Sequence, residues 1–354
     1  MVCDWQGGKG VAMMRSNRRE FLRLGATGLA AAVTAPSAFT QNGATQESRR
    51  RYNLVQIDVF TSQRLQGNPL AVFTDARGLS DTEMQDLARE TNLQETTFII
   101  PRDPASEEKY GVKVRIFIPT QEIPFGGHPT LGTAMVLRNR SAAGRAAENA
   151  GTATDQVISL DLKVGKIPVT FHKDSPGQFF GEMHQVEPVF GKVHDRTRVA
   201  ALSRVKPEEI IEEWPIQTVS TGLPFAIVPI KRLSTLQALQ PDLENIGTYF
   251  QQEAVLTHFY YVCQETDDPK VGLRARGIWP DGEDPATGSA AGCTAAWMVR
   301  YGIAKSGETV HIRQGVEIKR PSQIFVRASR RDERIADVRV GGHAVEIMEG
   351  EFAL

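Results

Sequence analysis

The sequence predicts a mixed α/β fold, of the α+β kind, assembled from two similar halves. Three observations carry that prediction. Short apolar runs alternate with a period of two, as half-buried strands do. Between them lie helix-start signals, among them the capping box Ser80-Asp81-Thr82-Glu83. The third observation is an internal register. A shift of 161 residues lays Phe98 on Phe259, Arg115 on Arg276, Pro119 on Pro280, Glu122 on Glu283, Pro124 on Pro285 and Gly127 on Gly288. A shift of 155 lays Gly67-Asn68-Pro69-Leu70-Ala71-Val72 on Gly222-Leu223-Pro224-Phe225-Ala226-Ile227, and the change of shift fits an indel in the loop between. One register joining six identities reads as an internal duplication. Two similar halves predict a cleft between them, where ligand sites preferentially form. At roughly 150 residues per domain, the 354 residues divide into a leader and linker over 1–51, a first half over 52–175 and a second over 176–354, with the C-terminal segment free to return to the first half.

Taken in order, residues 42–51 read as a linker, and 52–60 alternate as a strand. Gly67-Asn68-Pro69 makes a turn and 70–74 a second strand. The capping box opens a helix with Met84, Leu87 and Ala88 on one face. Strands follow at 96–101 and 112–119. A helix begins around Pro129, because proline is tolerated in a first turn, and ends at Leu137. Residues 139–155 read as a polar, Ala/Gly-rich surface loop. Strands then dominate, interrupted by short helices near 207–214 and 241–252, before a last helix from about Ser289 to Arg300.

Composition narrows the function. Hydrophobic residues at 41% and charged residues at 23% are the balance of a globular chain. Lys+Arg 41 against Asp+Glu 42 removes the electrostatic footprint of a nucleic-acid binder. The charge is unevenly placed: residues 1–51 carry eight basic and three acidic groups, so the rest carries 33 against 39. Arg18-Arg19-Glu20-Phe21-Leu22-Arg23, followed by a weakly apolar run to Ala35, resembles a twin-arginine export signal. That run is too short for stable membrane insertion. The expected location is therefore periplasmic, or cytoplasmic if the leader does not function. Three cysteines with no Cys-x-x-Cys, and seven histidines with no metal-ligand spacing, disfavour a disulfide framework and a metal site.

The two matched helix starts are the candidate site. Gly126-Gly127-His128-Pro129-Thr130 and Pro285-Ala286-Thr287-Gly288-Ser289-Ala290 each put glycine before a small-residue helix. A backbone without Cβ can approach a ligand closely, and free N–H groups at the positive helix end favour an anion. Gly127, Thr130, Thr287, Gly288 and Ser289 are the candidate substrate-binding residues, suited to a small carboxylate. Ordinary helix capping by Thr and Ser is the alternative. Titratable groups flank both copies: His128, Asp284 and, where a loop enters a strand, Glu95. In a closed cleft a carboxylate can act as base and a histidine can relay the proton. Each also has a plain reading, as a strand-end charge, a cap or a turn residue.

The same residues carry a resemblance. Asp58-Val59-Phe60-Thr61, Gly67–Val72, Gln94-Glu95-Thr96-Thr97-Phe98, Arg115-Ile116-Phe117, the run from Glu122 to Gly132 and the run from Gly282 to Ala290 resemble, in order and spacing, the PhzF-like (phenazine biosynthesis protein F) family. The resemblance covers the chain from about Tyr52 onward. It implies a diaminopimelate epimerase-like fold, in which each half is a curved mixed sheet around a central helix. It further implies cofactor-independent isomerisation or epimerisation of a small carboxylic acid, phenazine-precursor chemistry included. Glu95 matches the general acid/base, His128 and Asp284 the residues assisting binding and proton handling, and Gly127 and Ser289 those near the substrate carboxylate. The epimerase relatives use two cysteines, one per half, and no cysteine stands at either motif here. A homodimer is implied by the resemblance alone. The competing reading is an exported, non-catalytic protein that binds small carboxylates.

Overall fold

A computed structural model describes residues 49–141, 156–175, 178–252, 257–280 and 282–354. The leader, Cys3 and most of the loop expected over 139–155 lie outside the described residues. Residues 49–354 form one compact unit.

The first strand, β1 (Arg51–Val59), pairs antiparallel with β2 (Asn68–Phe73), which lies parallel to β3 (Glu95–Ile100). Strand β3 pairs antiparallel with β4 (Val112–Phe117), which holds the short β5 (Glu122–Ile123) antiparallel and β6 (Gln156–Leu162) parallel. Antiparallel ladders continue to β7 (Gly165–Ser175) and β8 (Gln178–His184).

The second half repeats those pairings. Strand β9 (Val189–Val193) joins β10 (Gln217–Ser220), which pairs antiparallel with β11 (Pro224–Ile230), and β11 lies parallel to β12 (His258–Cys263). Strand β13 (Leu273–Trp279) pairs antiparallel with β12 and with β14 (Gly282–Asp284), and parallel with β15 (Val310–Gln314). Antiparallel β16 (Ser322–Arg331) and β17 (Arg334–Gly342) follow. Two pairings cross between the halves. Strand β17 pairs with β8, and β18 (Ala344–Ala353) returns to pair with the whole length of β1. Ser175, the expected end of the first half, closes β7 opposite Gln178 of β8.

Inside each half runs a central helix, α3 (Gly127–Arg140) or α7 (Gly288–Arg300). Nearly every residue of both is buried, so neither shows an amphipathic stripe. A helix apolar or small on all sides belongs inside a core. The strands over these helices are sandwiched, with alternate residues facing opposite layers. In β2, Leu70 and Val72 face the central core, while Ala71 and Phe73 pack on the outer layer with α1 (Asp81–Thr91). Strand β11 does the same with Phe225 and Ile227 inward and Ala226, Val228 and Ile230 outward, against α4 (Arg196–Ser203), α5 (Leu233–Gln237) and α6 (Leu243–Gln252).

The expected mixed α/β class holds, and several elements differ in detail. Helix α3 starts at Gly127 rather than Pro129 and runs to Arg140 rather than Leu137. Proline still falls in the first turn, where its missing N–H has no intrahelical acceptor to lose. The expected helix near 207–214 is only a single 3-10 turn, Pro207–Glu209. Helix α2 (Pro104–Tyr110) has no sequence expectation; none of its residues is buried, so it carries no apolar period.

Candidate active site

The two halves bring their central helices together end to end. A Cβ on Gly127 would lie 2.5 Å from the backbone of Gly288 and Ser289, so only glycine permits the approach. Both starts lack a side-chain cap: Gly126 has none to offer, and Thr287 makes no capping bond. Neither first turn holds an acidic residue. Two positive helix ends without side-chain caps therefore converge on one place. There the fold leaves a cavity of about 220 Å³.

Glu95, Gly127, His128, Asp284, Thr287, Gly288 and Ser289 all line that cavity. Thr130 does not; its hydroxyl donates back to the Gly126 carbonyl at 2.6 Å, inside the helix turn. The threonine of the first motif is thus a local backbone brace, and its place among the binding candidates is corrected.

Register explains who points inward. Glu95 opens β3 opposite Leu70, and His128 is the second residue of α3. Their Oε2 and Nε2 atoms face each other at 3.4 Å. His128 is 2% exposed, and burial pushes its pKa from the usual 6.5 down to about 3. A charged imidazole loses its hydration there, so the ring is neutral at ordinary pH. Asp284 closes β14 from the other half, accepting from the Thr287 hydroxyl at 2.7 Å and the Ala286 amide at 3.2 Å.

The groups that hold these side chains have no sequence expectation as site residues. Asn68 sits between the halves, donating to Asp284 Oδ1 at 2.7 Å with its Nδ2 3.1 Å from His128 Nδ1. Gln314 donates to the Asp284 carbonyl and the Thr287 hydroxyl, and in turn accepts from Tyr260. Asn68 lies in a stretch that carries the turn, the internal register and the resemblance without marking the amide itself; Gln314 and Tyr260 carry no local signal, since β15 and β12, which hold them, come together with the Asp284 turn only in space. An apolar wall completes the cavity, with Trp279 packed on His258 and Phe225.

Neither buried thiol lines the cavity. Cys293 sits along α7, its Sγ 3.4 Å from the Thr221 hydroxyl, and burial pushes both Cys263 and Cys293 up to about 11. Among the described residues no group of three or more His, Cys, Asp or Glu could hold a metal ion. No described helix is long and apolar enough to cross a membrane.

A carboxylate and a neutral imidazole thus face one cavity beside the paired helix starts of the two halves. Comparisons with known proteins give the class of the protein. The phenazine biosynthesis-like (PhzC-PhzF) family model matches residues 57–350. An uncharacterized isomerase of Mesorhizobium japonicum is 33% identical over 308 residues, spanning 85% of this chain and 98% of that one. The trans-2,3-dihydro-3-hydroxyanthranilate isomerase of Pseudomonas chlororaphis is 32% identical, spanning 86% of this chain and all of that one. Among solved structures, the PhzF-family phenazine biosynthesis protein of Bacillus anthracis superposes with a TM-score of 0.73 at 26% identity, covering 86% of this chain and all of that one. The chain belongs to the phenazine biosynthesis-like PhzF family, and it is an isomerase.

Proposed function

We propose that this isomerase works without a cofactor, using Glu95 as the group that takes and returns the proton. The observation that carries the reading is the Glu95–His128 pair facing one cavity whose floor is two uncapped helix starts. A substrate carboxylate on those amides presents an adjacent C–H to Glu95. Glu95 takes that proton, the C–H electron pair moves into the substrate's conjugated system, and a proton is returned at another carbon. His128, neutral with a proton to share, and Asp284 assist. The substrate class proposed is a small cyclic amino or hydroxy carboxylate, and trans-2,3-dihydro-3-hydroxyanthranilate, named for a relative, is the first probe.

The test is proton NMR in D₂O with that probe, wild type beside Glu95→Gln. Wild type is expected to incorporate deuterium or shift the double bond, and Glu95→Gln to lose at least about a hundredfold of the rate. Undiminished exchange in the variant removes Glu95 from the role. Binding without exchange in wild type would show that this probe is not the substrate and overturn the proposed substrate. The repeated pairing order of the halves supports the internal duplication read from the sequence. Export through the twin-arginine leader is likewise proposed from sequence.

A further inference from the structure

Asn68 is fully buried where β2, α3 and the Asp284 turn meet. Its Nδ2 is crowded by acceptors: Asp284 Oδ1 at 2.7 Å, the Ala286 carbonyl at 3.0 Å and His128 Nδ1 at 3.1 Å. Rotating the amide would turn its oxygen onto a carboxylate and a carbonyl, so chemistry dictates which end is nitrogen. A donor in that position also dictates the histidine. An N–H on Nδ1 would meet another N–H, so Nδ1 must be the bare, accepting nitrogen and the ring's proton must lie on Nε2. Nε2 is the atom facing Glu95 Oε2.

The backbone around Asn68 is held from the other half of the molecule. Arg320 donates to the Gly67 carbonyl at 2.8 Å, to the Gln66 carbonyl at 2.9 Å and to buried Asp58 at 2.7 Å. The Gly67 amide donates to the Pro321 carbonyl. Gly67 takes a φ of +70°, and a Cβ there would lie 2.3 Å from the Val59 carbonyl oxygen. This clamp fixes the loop without satisfying the side chain, since Asn68 Oδ1 is buried with no hydrogen-bond partner among the described residues. A buried amide left half-satisfied is unfavourable for stability. Its placement answers to the groups on its nitrogen side.

We propose that Asn68 is a positioning residue for catalysis, holding His128 as the Nε2–H tautomer toward Glu95 while fixing the Asp284 carboxylate of the opposite half. The assignment rests on the reading of Glu95 and His128 as the acid–base pair. Asn68 does not touch the reacting atoms; it acts through the two groups it bonds.

The experiment is ¹⁵N NMR of histidine-labelled full-length protein, with the His128 ring assigned by its disappearance in His128→Asn. In wild type, His128 is expected to show a protonated Nε2 and a bare Nδ1. Asn68→Asp keeps the shape but removes the donor, and should move the proton to Nδ1 or charge the ring. Deuterium exchange into the dihydro-hydroxyanthranilate probe should then fall at least about a hundredfold, as for other histidines held in the wrong tautomer, with KM little changed. An Nδ1–H ring in wild type overturns the proposal, as does an Asn68→Asp protein with unchanged tautomer and rate. Should the aspartate variant fail to fold, Asn68→Ala answers the same question, since removing the donor must release the tautomer. Glu95→Gln is run alongside. Exchange retained there overturns the base role of Glu95, on which the assignment rests, whereas an Nδ1–H wild type overturns the role of Asn68 with that base role intact.

Discussion

Protonating His128 in the folded protein means charging a ring whose pKa burial has lowered from 6.5 to about 3. The unfolded chain binds that proton near pH 6.5 and the folded one does not, so acid favours unfolding. Stability should be unaffected by this group above pH 6.5 and should fall as pH drops below it. The slope is up to about 1.4 kcal/mol per pH unit, or on the order of 2–3 kcal/mol between pH 6.5 and 4.5. Urea denaturation across that range should show His128→Asn with a flatter slope than wild type; an unchanged slope would place the proton elsewhere. The thiols make a second residue-scale prediction. With both pushed to about 11, alkylation at pH 8 mapped by mass spectrometry should spare Cys263 and Cys293 until denaturant is added. A reactive Cys293 would reopen thiol chemistry. The residues that bear charge and sit in motifs, namely Glu95, His128 and Asp284, were legible because their neighbours repeat between the halves. Asn68 and Gln314 were not, since an amide's importance lies in what it faces after folding.

Among the elements, the capping box at Ser80 and the small-residue helix α7 were legible because their signals are local. The start of α3 was misjudged by two residues because proline marks the first turn without saying which position of it. Short α4, capped by Asp195, was missed because eight residues give too little apolar period. The most sensitive element is the junction of α3 and α7. Gly127→Ala would drive a methyl into the Gly288 backbone, and overpacking of that kind costs about 1–3 kcal/mol. The helix ends would be forced apart, so the variant should also lose calorimetrically detectable binding of the carboxylate probe. Retained binding with lowered stability would separate the anion site from that contact. Ser80→Ala, far from the cavity, should cost about 1 kcal/mol and leave exchange untouched.

For the whole molecule, the repeat anticipated two similar halves with the C-terminal segment free to return to the first, and β18 lies on β1; the tie of β17 on β8 had no expectation. Strand pairing across 285 to 302 positions leaves no local trace in a sequence. Export is tested at this scale: replacing Arg18 and Arg19 by lysine should shift the protein from the periplasmic to the cytoplasmic fraction. Equal distribution in both would dismiss the leader.

The pairing of β1 with β18 also imposes an order of events. Arg51 lies opposite Ala353 and Val59 opposite Ala344, so β1 keeps one bare edge until β18 has been made. The first half cannot close while the second is being synthesised, and long-range closure of this kind is slow. A nascent chain in that condition offers a ready template for wrong pairing with its neighbours.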